Sequence, residues 1–230
     1  MQAVILAAGR GTRMGDLTMD RPKPMLEVAG KTLLQHKFDV LPEGVDEIIV
    51  VIGYLGDVIQ NTYGDSYNGT RIRYVTQENP VGGTADALWQ AKDLLTGKFV
   101  VMMGDDIYVR EDIAACLAHE WALLVQRVPD TTVGGRVITD AENNIVDIVE
   151  GNSGGDGAVS TNLFALDTRV FDFPQVAKAA GSTEMGLPQT VLAASRASGI
   201  PFAVVEATNW IQITNPTDIK AAEESLAKTV

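Results

Sequence analysis

The 230-residue chain carries 30 Asp+Glu against 18 Lys+Arg, a formal net charge of −12, with 46% apolar and 21% charged residues. That balance suits a folded domain, offers no basic surface to a nucleic acid or an anionic membrane, and leaves any anionic ligand to be drawn in by a local cluster of cations. The single cysteine, Cys116, excludes an intramolecular disulfide and predicts a reducing, cytoplasmic setting, while no apolar run approaches the roughly 20 residues of a membrane span and no basic n-region suggests a signal peptide.

Residues 3–6 form a short apolar run suited to a buried strand of a parallel sheet. Ala7-Ala8-Gly9-Arg10-Gly11-Thr12-Arg13 follows at once. Small residues there let the backbone approach a ligand, successive exposed N–H groups can form an anion-binding concavity, and Arg13 adds a guanidinium fork for phosphate oxygens. Pro22-Lys23-Pro24 then holds a lysine between two fixed φ angles, which lowers the entropy lost in positioning it. With Arg21 as a further cation, the stretch reads as a nucleoside triphosphate site. It contains neither G-x-x-x-x-G-K-[ST] nor G-x-G-x-x-G, so it is neither a P-loop nor a dinucleotide fingerprint.

A helix is expected over 32–41 with Thr32 as N-cap, a strand over 46–52, a short helix over 55–63 and a strand over 71–75. The β-α-β-α-β order predicts an open parallel sheet with helices on both faces. Thr84 can cap a helix with an apolar face of Ala87, Leu88, Ala91, Leu94 and Leu95. Residues 99–103 read as a central strand ending in Gly104-Asp105-Asp106, where open α/β sheets place their ligands. Asp106 is expected as a solvated neighbour or a cap for the helix at Asp112. A helix over 113–120, a strand over 121–128 and a hairpin of 135–139 with 144–149 follow. Residues 151–157, four of them glycine, predict a mobile loop. Then come a strand over 160–166, helices over 169–179 and 187–198, a strand over 202–206 and a final helix with Asn215, Pro216 and Asp218 at N-cap, N1 and N3. Cys116, His36 and His119 all read as structural residues of helices.

The stretch LAAGRGTRM…RPKPMLEVAGKTLL resembles the sugar-1-phosphate nucleotidyltransferase family. The resemblance implies a Rossmann-like, three-layer α/β/α fold with a mostly parallel mixed sheet, one catalytic domain over residues 1–230, and no appended β-helix domain. It implies transfer of a nucleotidyl group from a nucleoside triphosphate, UTP or dTTP, to a sugar 1-phosphate with Mg²⁺ as cofactor. Arg13 would stabilise the leaving pyrophosphate, Lys23 would bridge the α-phosphate and the incoming phosphate, and Asp105 would hold the metal. Nucleotide contacts fall on Leu6, Ala7, Ala8, Gly9, Gly11, Thr12, Gln77, Gly83, Thr84 and Gly104. Sugar contacts fall on Gly135, Glu150 and Asn162.

Three positions depart from the family's pattern. Its second metal carboxylate falls on Gln212, and the lysine that many members place after the glutamate is Gly151 here. The N-T-G strand is shifted, so that Ser160 stands at the asparagine and Asn162 at the glycine. Asn162 either substitutes for glycine at the sugar, reflects a different sugar, or caps a local turn. The missing lysine is also a trait of N-acetylglucosamine 1-phosphate uridylyltransferases. Guanylyl or cytidylyl transfer, and a weakened nucleotide-sugar sensor, remain the alternative readings, and self-association stays open.

Overall fold

The computed structural model describes residues 1–151 and 154–228. In chain order the elements are β1 (Gln2–Leu6), β2 (Glu27–Val28), β3 (Lys31–Thr32), α1 (Leu33–Asp39), β4 (Glu47–Ile52), α2 (Gly56–Tyr63), β5 (Ser66–Tyr67), β6 (Thr70–Thr76), α3 (Gly83–Gln90), β7 (Lys98–Met103), α4 (Arg110–Leu117), β8 (Trp121–Val128), β9 (Arg136–Thr139), β10 (Ile145–Val149), β11 (Gly157–Asp167), α5 (Leu187–Ser198), β12 (Phe202–Glu206) and α6 (Pro216–Leu226).

A ten-stranded sheet runs β10-β9-β11-β7-β1-β4-β6-β5, with β8 paired to β11 and β12 to β8. The parallel part is β7-β1-β4-β6, and β11 joins it antiparallel. Alternate residues of β1 face opposite layers. Val4 and Leu6 pack with α3 and α5, whereas Ala3 and Ile5 pack with α1, α2 and α4. This is the mixed, three-layer α/β/α arrangement expected. From β1 the chain winds outward through β4 and β6, then returns to β7 on the other side of β1. That reversal opens a crevice beyond the carboxyl ends of β1 and β7. A third apolar cluster, joining Met14, Leu26, Leu33 and Ile213 to Ala222 of α6, packs the loops beside it.

Several local expectations change. Residues 169–179 are not a helix: a 3-10 turn over Thr168–Asp172 ends at Phe173, whose extended φ −113°, ψ 150° is what a residue before Pro174 adopts. α4 begins at Arg110, earlier than expected, and Asp112 in its first turn accepts from Thr208 instead of receiving a cap. α3 begins at Gly83, and Thr84 Oγ1 accepts from Leu187 N, the first N–H of α5, at 2.9 Å, so Thr84 ties α5 to α3 and does not cap α3. Leu94 lies in a separate 3-10 turn, Lys92–Leu94. Thr32 does cap α1, and Asn215 with Asp218 forms a full capping box on α6. In the glycine-rich loop, Asn152 and Ser153 lie outside the described residues, while Gly154 and Gly155 are held by Thr131.

Candidate active site

Leu6 and Met103 are register partners at the ends of β1 and β7, and Gly104 N donates to Leu6 O at 2.9 Å. Beyond them opens a cleft of about 630 Å³. Leu6, Ala7, Ala8 and Gly104 reach it from the strand ends, and Gly9, Gly11, Thr12, Arg13 and Lys23 from the loop after β1. Gln77, Gly83 and Thr84 come from the β6–α3 connection, Gly135, Glu150 and Asn162 from β9–β11, and Asp105 and Gln212 from beside β7 and before α6. Arg21 is not among its lining; it is exposed and pairs with Asp20.

Lys23 is 6% exposed, and its Nζ donates to Asp105 Oδ2 at 2.6 Å and to Ile213 O. Gly11 makes room for its stem: a Cβ there would stand 2.8 Å from Lys23 Cβ, and φ +65° suits glycine. Ile107 and Ile211 exchange backbone bonds of 2.9 and 3.0 Å, which joins the segment carrying Gln212 to the one carrying Asp105, and both residues line the cleft.

Asp106 is neither solvated nor a helix cap. It is buried and accepts from Trp210 Nε1 at 3.1 Å and Tyr108 Oη at 3.4 Å. Burial, reinforced by the charge of Asp105, pushes its carboxyl up to about 7. Lys37, fully buried in α1, donates to Asp106 O, and burial lowers its ammonium to about 8. Sequence patterning gave Lys37 no role. Its place on the apolar face of α1 beside Leu34 and Phe38 is the one signal that could have found it. His36, by contrast, is structural as expected, bonded to Val28 O, with its imidazole lowered by burial.

Among the described residues, the backbone N–H groups of Ala8, Gly9, Arg10 and Gly11 have no hydrogen-bond partner within the protein. A Cβ on Gly9 would meet nothing within 4 Å, so no protein atom requires glycine there. Bare donors and an unfilled space together make an anion cradle. Tyr54, unnoticed in the sequence, secures this loop: its Oη donates to Thr18 O and Met19 O at 3.0 and 3.1 Å, and Arg10 lies 5.0 Å over its ring.

Gln77 Nε2 donates to Gly83 O at 3.0 Å and to Asp86 Oδ2 at 2.8 Å. Gly83 has φ +86°, and a Cβ there would fall 2.7 Å from Met185 N. Both features require glycine. Glu150 Oε1 would stand 2.9 Å from a Cβ on Gly135 and accepts from Gln189 Nε2 at 3.2 Å. Asn162 sits at φ +56° in the irregular stretch of β11 between Ser160 and Phe164. Asparagine is the residue that best replaces glycine in that left-handed region, which explains the substitution. Its side chain lines the cleft and also accepts weakly from Ser160 Oγ at 3.4 Å. Lys178, Glu184 and Gln189 line the cleft as well, none of them singled out by sequence.

For a divalent cation the donors present are the Asp105 carboxylate and the Gln212 amide; no cluster of three His, Cys, Asp or Glu exists among the described residues. That set fits Mg²⁺, which is commonly held by one or two carboxylates plus substrate phosphates. No described helix is long and apolar enough to cross a membrane.

The sequence profile of the nucleotidyl transferase family matches residues 2–228. The chain is 31% identical to the UTP–glucose-1-phosphate uridylyltransferase AglF of Haloferax volcanii over 98% of its own length and 96% of that protein's. It is 28% identical to the bifunctional protein GlmU of Methanocaldococcus jannaschii, of which it spans 57%. Its fold matches that of a Bacillus anthracis protein described as a glucose-1-phosphate thymidylyltransferase, at 22% identity, TM-score 0.83, covering 100% of this chain and 96% of that one. It also matches the inositol-1-phosphate CTP transferase of T. maritima, at 21% identity, TM-score 0.77, covering 100% and 97%. Its sequence motifs, its sheet topology and these matches agree: the chain belongs to the nucleotidyl transferase family, among the sugar-1-phosphate nucleotidyltransferases.

Proposed function

We propose that this cleft joins UTP or dTTP to a sugar 1-phosphate, giving the nucleoside diphosphate sugar and pyrophosphate. The observation that carries the reading is one cleft uniting the bare N–H cradle, the Lys23–Asp105 pair and the polar wall of Glu150, Gln189 and Asn162. An oxygen of the sugar phosphate attacks the α-phosphorus; that P–O bond forms as the bond to the β-phosphate bridging oxygen breaks, and pyrophosphate leaves with the electron pair. Two anions must meet, so the chain's task is neutralisation and alignment. The loop N–H groups and Arg13 receive the β- and γ-phosphates, and Lys23 lies between α-phosphate and nucleophile. Asp105 and Gln212 would hold Mg²⁺, which when bound withdraws charge from phosphoryl oxygens.

Base preference follows from Gln77. Both bonds of Nε2 go to groups that only accept, Gly83 O and an Asp86 carboxylate oxygen, which fixes the amide's orientation. Gln77 therefore presents Oε1, an acceptor, to a base. Uracil and thymine offer N3–H there; cytosine offers a bare nitrogen. Guanine, with N1–H, is the second reading on the same logic. A binding-only sensor is the other alternative, favoured by Gln212 and Gly151. Incubation with UTP, dTTP, CTP and GTP in turn with glucose 1-phosphate or N-acetylglucosamine 1-phosphate, and identification of the sugar nucleotide formed, tests the proposal. A product from UTP or dTTP supports it, and a product from CTP alone contradicts it. With its one thiol buried, the protein suits the reducing cytoplasm.

A further inference from the structure

Lys178 lines the cleft from a segment far in the chain from the loop after β1. The cleft's lining cations are Arg13, Lys23 and Lys178. Lys23 is paired with Asp105, whereas Arg13 and Lys178 have no ion-pair partner among the described residues. Two phosphorylated substrates must be held, and Arg13 belongs to the loop after β1. Among the described residues that line the cleft, the wall bearing Glu150 contributes no cation, since Arg136 of that hairpin lines a different pocket. Gly151, next to Glu150, takes φ +89°, so a side chain there would be strained and a lysine is not readily accommodated at that position.

The fold supplies one from another segment. Residues 176–186 double back as a short antiparallel ribbon: Ala177 bridges Met185, Lys178 N donates to Glu184 O at 2.8 Å, and Gly186 N donates to Val176 O at 2.9 Å. The ribbon is anchored to the nucleotide side of the cleft by Met185 N to Gly82 O at 2.8 Å and Ala85 N to Met185 O at 2.9 Å. On its other side lie Gln189 and, bonded to it, Glu150. A Cβ on Gly186 would stand 3.1 Å from Lys178 Cα and would also collide with Gln189 Oε1, so Lys178 and Gln189 flank the same glycine. Gln189 in turn donates to Glu150. Lys178 is exposed, with a four-carbon stem free to swing its ammonium toward an anion beside Glu150.

We infer that Lys178 is the cation that binds the phosphate of the sugar 1-phosphate, a role that rests on the reaction proposed above and makes the 176–186 ribbon part of the acceptor subsite. Steady-state kinetics of K178Q and K178R test it, with thermal unfolding as a check that an exposed substitution leaves the fold intact. Loss of a charged hydrogen bond predicts that K178Q raises KM for the sugar 1-phosphate roughly tenfold to a hundredfold, with KM for the triphosphate within about twofold of wild type and K178R largely restored. Unchanged KM for the sugar 1-phosphate, or a rise confined to the triphosphate, would overturn the assignment. If wild type turns over no substrate pair, the proposed reaction fails, and calorimetric titration with glucose 1-phosphate, N-acetylglucosamine 1-phosphate and mannose 1-phosphate decides the role of Lys178 separately. Binding to wild type and K178R but weaker binding to K178Q upholds it; equal affinities, or no binding by wild type, reject it.

Discussion

Lys23 Nζ stands 2.6 Å from Asp105 Oδ2, joining two residues 82 positions apart. The same ammonium donates to Ile213 O, so one buried lysine ties the loop after β1, the end of β7 and the segment before α6 into a single cleft wall. Asp105 remains 35% exposed on its open side, where a cation and phosphate oxygens can reach it.

Replacing that lysine should therefore cost activity and stability together. Lys23→Ala is expected to lower kcat by about 10²–10³, the usual loss for one preorganised charge. Because Asp105 and Ile213 O lose their partner, unfolding should also be easier by roughly 1–3 kcal/mol. Kinetics and denaturant titration check both. Activity within about threefold of wild type would remove Lys23 from the reaction.

The neighbouring aspartates should separate cleanly. Asp105→Asn is expected to raise the Mg²⁺ concentration for half-maximal activity far more than Asp106→Asn. Asp106 is turned inward to Trp210 and Tyr108, and an asparagine oxygen can still accept from the indole N–H. A Mg²⁺ titration of both variants with equal shifts, or the reverse order, would contradict the assignment.

Gly83→Ala should loosen the ribbon that carries Lys178. The left-handed φ costs about 1–2 kcal/mol and the methyl group meets the Met185 backbone, so Tm should fall by roughly 2–8 °C for a chain this size. Calorimetry measures it. An unchanged Tm would mean that Met185 does not pack against Gly83.

The parts legible in sequence were those with local causes. The apolar run of β1, the small residues after it, the prolines flanking Lys23 and the capping box at Asn215 each act through their immediate neighbours. What escaped depends on partners distant in the chain. Lys37 and Asp106 are buried because α1, β7 and Trp210 converge, and beyond the place of Lys37 on the apolar face of α1 nothing local marks them for burial. The 176–186 ribbon, which takes up the end of the helix expected over 169–179, is held by main-chain bonds to residues 82 and 85, partners that lie far away in the chain. Lys178 and Gln189 escaped with it.

Gln212 lines the same cleft as Asp105 with an amide where a second carboxylate would bind metal more strongly. Gln212→Asp is expected to lower the Mg²⁺ concentration for half-maximal activity without changing the preferred base. Asp218 does not supply the lacking charge, because its Oδ2 accepts from Thr214 N and Asn215 N at 2.7 and 2.9 Å. Coincident Mg²⁺ curves for the two proteins would place Gln212 outside the metal shell.

The most direct measurement of the central claim is pyrophosphate release by the purified protein with UTP or dTTP and Mg²⁺, with and without a sugar 1-phosphate. Release should require the sugar 1-phosphate, yield one sugar nucleotide per pyrophosphate, and fall by about 10²–10³ in Lys23→Ala. Release that is independent of the acceptor, or nucleotide binding with no release from any triphosphate and sugar phosphate pair, would contradict it.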